Sequence, residues 1–138
     1  MIIRNKNRIK RTKEIFTPPK LGHWIVDTFV PIEKIKDPST TYLDKCCGDS
    51  TGFLLPLKKI LLQYHSEDHI LENQIFGIDN EFDNIIESKK NLGIVENGPG
   101  WRNLVCHNCR TYDMSFGREI QFGPNDLFTI EPSKSTKN

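Results

Sequence analysis

The spacing of apolar residues predicts three helices along this chain. Residues 17–29, 52–65 and 81–94 each place apolar side chains at intervals of three and four, which is the spacing of one helix face. Thr17 is a suitable N-cap for the first helix, and Pro18 suits its first helical position. The predicted apolar stripes are Leu21, Trp24, Ile25, Thr28 and Phe29 in the first helix and Phe82, Ile85, Ile86 and Lys89 in the third.

Three residues affect where these helices begin or end, or how stable they are. Pro56 is expected in the first turn of the second helix, where a missing N–H costs nothing. Gly93 is expected near the end of the third helix, since glycine adopts the left-handed conformation that closes many helices. Gly22 is expected to weaken the first helix slightly.

Three short apolar segments, 40–44, 74–79 and 102–108, alternate with the helices and predict β-strands. This alternation favours a parallel sheet, so we expect an α/β, Rossmann-like fold with flanking helices. Ligands of such sheets bind at the carboxyl ends of the strands. The polar residues found at or just after those ends are Asp44, Asp79 and Asn108.

Length and charge favour a single domain without a global preference for acidic partners. The chain has 138 residues and a net charge of +1. Basic residues are concentrated in an N-terminal arm, residues 1–13, which is either a DNA-contacting segment or a solvated terminus. We expect the folded domain to span 14–131 and a polar tail to occupy 132–138.

The hydropathy pattern predicts no membrane contact. No apolar run reaches the roughly 20 residues that span a bilayer, and no apolar segment follows the basic N-terminus as a secretory signal requires. We therefore expect a cytoplasmic location, where disulfides are disfavoured. The four cysteines are Cys46, Cys47, Cys106 and Cys109.

These cysteines allow three interpretations. A zinc site would need all four thiolates to converge, and adjacent cysteines rarely ligate one ion together. A redox role for the C-x-x-C of residues 106–109 would place it at the start of a helix, where the pattern predicts a strand. Buried structural thiols are the favoured interpretation, and no metal site is expected.

The segment "DKCCGDSTGF", residues 44–53, connects the first strand to the second helix and forms the centre of the predicted site. Its small residues would let a ligand approach the backbone closely. It contains neither G-x-G-x-x-G nor G-x-x-x-x-G-K-[ST], the phosphate-binding patterns. Asp79 after the second strand suits a ribose diol, although an acid there is also a common helix cap. Together they indicate an adenosine-type site that is not built for phosphate.

Four segments resemble the successive motifs of class I S-adenosylmethionine-dependent methyltransferases, in particular the N6-adenine DNA methyltransferases of bacterial and phage restriction–modification systems. The segments are "EIFTPPKL", "YLDKCCGDSTGFLL", "IFGIDN" and "NLVCHNCRTYDMSFG". They cover roughly residues 14–117. The resemblance implies a partial class I methyltransferase fold that binds S-adenosylmethionine in the cytoplasm of a bacterial or phage-infected cell.

The resemblance also implies roles for individual residues. Phe16, Thr17 and Pro18 would line the methionine end of the cofactor. The loop from Asp44 to Ser50 would wrap its amino-acid part, Asp79 would hold the ribose hydroxyls, and Asn108 would lie beside the adenine. The full set of cofactor-binding candidates is Phe16, Thr17, Pro18, Asp44, Cys46, Gly48, Ser50, Asp79, Asn80 and Asn108.

The chain also departs from the family pattern. Lys45 replaces the usual Pro, Ser50 replaces the second loop Gly, the loop is one residue longer, and Asn108 replaces an Asp. The catalytic motif [ND]-P-P-[YFW], which holds a flipped adenine, does not occur. The catalytic residues are therefore unknown and would come from a partner chain.

Two functions follow from this pattern. One is a DNA adenine N6-methyltransferase-like protein that binds S-adenosylmethionine and lacks the catalytic motif needed for activity alone. The other is a degenerate methyltransferase fold that acts as a cofactor- or protein-binding module. In either case, we expect an unfinished sheet edge beyond the third strand, which a partner, a second copy or residues 111–131 would cover.

Overall fold

A computed structural model describes residues 18–122 and 128–130 of the chain. Phe16, Thr17, the basic arm and the polar tail lie outside the described residues. No helix in the described ranges combines the length and apolarity needed to cross a membrane.

The described residues form an α/β fold. Its helices are α1 (Pro19–Phe29), α2 (Ile32–Lys36), α3 (Leu54–Leu61), the single turn α4 (Glu67–His69) and α5 (Phe82–Leu92). A π-helical turn spans Ile70–Gln74 and a 3-10 turn spans Trp101–Asn103. Its strands are β1 (Tyr42–Asp44), β2 (Ile75–Asp79), β3 (Leu104–Cys106), β4 (Ile120–Phe122) and β5 (Phe128–Ile130).

The first three strands form a parallel sheet in the order β1-β2-β3. This confirms the predicted alternation, although β1 and β3 are shorter than expected. Among the described residues β3 is an outer strand, as expected, and β1 is the other outer strand. The unpredicted strands β4 and β5 pair antiparallel in a separate two-stranded sheet and do not extend the first one.

The two faces of the parallel sheet pack against different parts of the chain. Ile75 and Leu104 face the helices and join a core with buried residues of α1, α2, α3 and α5. Phe76 points to the opposite face because successive strand residues alternate. There the ring of buried Phe116 lies 5.1 Å from that of Phe76. Part of the segment expected to cover an edge therefore packs on a face.

Helix α1 buries a different side from the one that its apolar stripe predicts. Gly22 and Val26 are its buried residues, whereas Trp24 is 55% exposed and Phe29 is 68% exposed. The helix begins with Pro18 as N-cap and Pro19 as its first residue, one position later than predicted. Gly22 decides the orientation, since a Cβ built there would lie 1.7 Å from the carbonyl oxygen of Gly52.

Helix α5 shows the same kind of rotation. Phe82, predicted to be on the apolar stripe, is 67% exposed, while the polar residues Asn84 and Ser88 are buried beside Ile85. Two of the signals for helix ends were correct. Pro56 lies in the first turn of α3, and Gly93 closes α5 in the left-handed conformation at φ 78°.

A substitution at Gly22 separates helix propensity from packing. Propensity alone predicts that Gly22→Ala stabilises α1 by about 1 kcal/mol. The contact with the Gly52 carbonyl predicts the opposite sign, a loss of about 1–3 kcal/mol from overpacking. Urea denaturation measures the free energy of unfolding, with Thr28→Ala on the exposed side of α1 as the matched control. A stabilised Gly22→Ala variant would contradict the packing argument.

Candidate functional site

The carboxyl ends of the strands bring two of the predicted acids together. Asp44 ends β1 and Asp79 ends β2, the neighbouring strand. The loop after β1 reaches the second acid directly: the Gly48 N–H donates to Asp79 Oδ1 at 3.2 Å across 31 residues of sequence. Two of the resembling motifs are therefore in contact.

Asp79 is a structural acceptor as well as a candidate ligand. Its Oδ2 accepts from the Glu81 N–H at 3.0 Å and from Asn84 Nδ2 at 2.9 Å. A carboxylate offers about four acceptor positions, so three internal donors leave about one, on Oδ1. Asp79 can therefore accept one further hydroxyl without losing an internal partner, whereas a second hydroxyl would have to displace one.

The loop after β1 is fastened to α5 on its inner side. The hydroxyls of Ser50 and Ser88 are hydrogen-bonded to each other, and both residues are fully buried. Asn91 Nδ2 donates to the Asp49 carbonyl at 2.9 Å. The side chain of Ser50 is therefore engaged with a helix. Its backbone is engaged as well, since the Ser50 N–H donates to the Cys47 carbonyl at 2.9 Å and the Ser50 carbonyl accepts from the Leu55 N–H at 2.8 Å.

Ser50 adopts a conformation that glycine favours. Its φ is 69°, and Gly48 in the same loop has a φ of 56°. A side chain in the left-handed region costs roughly 1–2 kcal/mol. The hydrogen bond to Ser88 offsets that cost, which explains how Ser50 occupies a position where the resembling family has glycine.

Gly77 in β2 allows the loop to approach the sheet. A Cβ at this position would lie 3.0 Å from Cys47 Sγ and 2.7 Å from the Leu104 side chain. In the space left open, the Cys47 N–H donates to the Ile78 carbonyl at 3.0 Å. The first residues of the loop are thereby held against the end of β2.

The strand ends carry a negative electrostatic potential. Burial raises the pKa of the Asp44 carboxyl, and the charge of Asp79 raises it further. Burial also raises the pKa of the Cys106 thiol, with contributions from Asp79, Glu81 and Asp83. Carboxylates that disfavour other anions favour a cationic ligand.

The cysteines differ from the expectation of buried structural thiols. Only Cys47 is buried, and burial raises the pKa of its thiol far above the usual range. Cys46 and Cys106 are exposed, and Cys109 is half-buried. In the described part of the chain, no group of three or more His, Cys, Asp or Glu side chains could hold a metal ion.

The remaining candidates lie at the periphery. Asn80 is exposed after β2, and exposed Asn108 uses its Oδ1 to accept from the Arg110 N–H at 2.9 Å. Pro18 is the exposed N-cap of α1, the helix that contacts the far end of the loop through Gly22.

The residues that sequence reasoning missed lie on α5. Asn84, Ser88 and Asn91 bind Asp79, Ser50 and the Asp49 carbonyl. Their spacing of four and three places them on one helix face. The sequence thus carries a polar stripe on α5 beside the apolar stripe that predicted the buried face.

A pocket of about 440 Å³ lies away from the strand ends, between α1, α2 and α3. Its lining includes His23, Asp27 and Tyr64, none of which was a predicted site residue.

No known protein-family profile and no curated protein matches this chain.

A double-mutant cycle tests how the loop is fastened. Ser50→Ala and Ser88→Ala should each destabilise the protein by about 1–3 kcal/mol, because each leaves one buried hydroxyl unpaired. The double variant should lose less than the sum, since neither hydroxyl remains. Ser50→Gly should be milder than Ser50→Ala because it relieves the left-handed strain. Additive losses in urea denaturation would contradict the contact.

The raised pKa of Asp44 predicts a pH-dependent gain on substitution. The folded protein favours the protonated carboxyl, so ionisation of Asp44 costs stability as the pH rises through its raised pKa. Asp44→Asn should therefore be more stable than the wild type at pH 7, and the difference should vanish at pH values below the unfolded-state pKa. Thermal unfolding from pH 3 to 8 measures both.

Asp37→Asn supplies a control of opposite sign. Hydrogen bonds from Ser39 lower the pKa of Asp37, so this variant should lose stability at pH 7 and match the wild type in acid. Parallel curves for the two variants would show that the effect is not specific to burial of Asp44.

Proposed function

We propose that this chain is the cofactor-binding part of a class I methyltransferase-like protein of the N6-adenine DNA type, with S-adenosylmethionine as its ligand. The parallel α/β sheet is compatible with a Rossmann-like partial fold. The observation that carries the proposal is the hydrogen bond from Gly48 in the D-x-x-C-G loop to Asp79 in the G-I-D segment. It joins the two motifs at the strand ends, where such sheets bind ligands.

The charge distribution supports S-adenosylmethionine over a phosphorylated nucleotide. This cofactor carries a sulfonium and an ammonium group, whereas nucleotides such as ATP or NAD carry phosphates. Asp44 and Asp79 end neighbouring strands, and burial together with the charge of Asp79 raises the pKa of Asp44. A cation between them would relieve that repulsion.

Asp79 would orient the ribose through its remaining acceptor position on Oδ1. The proposed geometry therefore has one direct hydroxyl contact, with the second hydroxyl reached only if an internal donor is exchanged. The exposed side chains of Cys46 and Asn108 flank this point from the ends of β1 and β3.

Catalysis by the isolated chain is not part of the proposal. Methyl transfer to an adenine N6 needs a group that holds the amino nitrogen beside the sulfonium, and the [ND]-P-P-[YFW] motif that does this in the resembling family is absent. A partner chain would supply it. The basic arm, residues 1–13, is proposed as a DNA contact and lies outside the described residues.

Isothermal calorimetry with S-adenosylmethionine tests the proposal. The wild type should bind, and Asp79→Asn should bind about 10- to 100-fold more weakly, since a hydrogen bond to a charged group is worth about 1.5–3 kcal/mol. S-adenosylhomocysteine, which lacks the sulfonium charge, should bind more weakly than S-adenosylmethionine. ATP and NAD should not bind.

Controls separate loss of binding from loss of fold. Asp27→Asn removes an exposed carboxylate on α1 and should leave the affinity unchanged. Urea denaturation of Asp79→Asn shows whether the loop contacts survive. Failure of the folded wild type to bind at millimolar cofactor would overturn the proposal, and methyl incorporation into unmethylated DNA by the chain alone would overturn its non-catalytic part.

A protein-binding module is the second candidate function. Helix α1 exposes Leu21, Trp24 and Phe29, and Leu43 on the outer strand β1 is also exposed. Exposed large apolar side chains on an outer strand or on a helix are typical of surfaces that another protein covers. A folded chain that binds none of the nucleosides above would favour this function.

A further inference from the structure

The pocket between α1, α2 and α3 combines an apolar floor with a polar rim. Its volume is about 440 Å³, which lies within the range of small-molecule sites. Val26 and Ile35 are buried at the floor, and Val30 and Ile60 are half-buried beside them. These aliphatic side chains provide a surface on which a ligand can bury an apolar group.

Contacts outside the pocket hold its walls together. Gly22 of α1 lies against the carbonyl of Gly52, which directly precedes the start of α3. The ring of His65, which follows α3, makes a hydrogen bond of 2.7 Å from Nε2 to the Ile35 carbonyl in α2. A carbonyl oxygen can only accept, so Nε2 carries the proton. Both neighbouring walls are thus tied to α3 or to the segment after it, and the cavity is a fixed part of the fold.

The rim on α1 carries a negative charge. Asp27 is the acidic residue of the lining, and its Oδ2 lies 3.1 Å from Nδ1 of His23, one turn earlier on the same helix. A carboxylate has about four acceptor positions, and His23 uses one of them. This side of the rim therefore suits a cationic donor such as an ammonium group.

The rim after α3 offers hydrogen-bond donors and a neighbouring positive charge. Gln63 and Tyr64 line the pocket there, and both an amide and a phenol can donate hydrogen bonds. Nζ of Lys36, in α2, lies 5.6 Å from the centroid of the Tyr64 ring. A cation is therefore held beside a lining side chain, and this part of the rim suits a carboxylate.

We propose that the pocket binds a free α-amino acid with a large apolar side chain. The ammonium group pairs with Asp27, the carboxylate binds Lys36 and the neighbouring donors, and the side chain covers the apolar floor. A simple amine leaves Lys36 without a partner, and a simple carboxylate meets Asp27, so the zwitterion is the ligand that matches both charges. The inference is independent of the proposed function, because no lining residue belongs to the strand-end site.

An NMR titration of isotope-labelled protein with L-phenylalanine tests the site. The backbone signals of Val26 and Val30 should shift in a saturable manner, and those of Gly48 and Asp79 at the strand ends should not. The side chain of Asp27 is 60% exposed. Because exposed ion pairs contribute little, we expect a dissociation constant of roughly millimolar size.

Three analogues test the parts of the ligand. L-phenylalaninamide lacks the carboxylate, phenylpropanoate lacks the ammonium group, and L-alanine lacks the large side chain. Each should bind at least about fivefold more weakly than phenylalanine. An analogue that binds as tightly as phenylalanine would overturn the assignment of a zwitterion with an apolar side chain.

Substitutions on the rim test the two charges. Asp27→Asn and Lys36→Gln should each weaken phenylalanine binding about fivefold. Glu33→Gln and Lys34→Gln are matched controls, since they remove exposed charges of the same signs from α2, and they should leave the affinity unchanged. Asp27→Asn should cause no further loss with phenylpropanoate, and Lys36→Gln none with the amide, because both partners of one contact are then absent.

The outcomes separate this pocket from the strand-end site. Asp27→Asn should weaken binding of phenylalanine and not of S-adenosylmethionine, and Asp79→Asn should do the reverse. The proposal is overturned by an absence of saturable shifts up to the solubility limit of phenylalanine, by shifts confined to the strand ends, or by equal losses in the control variants. Spectra of the ligand-free variants show whether each remains folded.

Discussion

The arrangement of the strand ends depends on the hydrogen bonds that Asp79 accepts. Its carboxylate binds the loop after β1 through Gly48 and the start of α5 through Glu81 and Asn84. Its carbonyl binds the segment after β3 through His107. One residue thus connects the loop after β1, the start of α5 and the segment after β3. Hydrogen bonds to a charged acceptor are the stronger kind, which suits a residue with this many partners.

Structural and binding roles compete at this carboxylate. Three internal donors fix its orientation in advance, which lowers the ordering cost that a ligand would meet. The same donors leave it little remaining capacity to accept from a ligand. Asp44 adds a second constraint, because burial and the nearby charge of Asp79 raise the pKa of its carboxyl and so disfavour the ionised form. Two neighbouring carboxylates of this kind suit a cationic ligand better than an anionic one.

Sequence reasoning succeeded where the determinants are local. The acids at the ends of β1 and β2, Pro56 in the first turn of α3 and Gly93 at the end of α5 follow from the chemistry of single residues. Which face of a helix is buried depends on the partner it meets. Gly22 is buried because it lies against the Gly52 carbonyl, and Ser88 because it bonds Ser50. Neither partner is visible from the periodicity of one helix, so the apolar stripes of α1 and α5 were misleading.

The loop after β1 shows that a departure from a motif can be compensated in three dimensions. Serine at position 50 retains the left-handed conformation of glycine because α5 offers the Ser88 hydroxyl, and Asn91 holds the neighbouring Asp49 carbonyl. Both contacts lie on the helix side of the loop. On the opposite side the Gly48 N–H donates to Asp79, so the loop is held from both sides. Serine at position 50 is therefore compatible with the loop conformation of the resembling family, although the sequence alone suggests otherwise. The missing catalytic motif is a different case, because no contact among the described residues compensates for it.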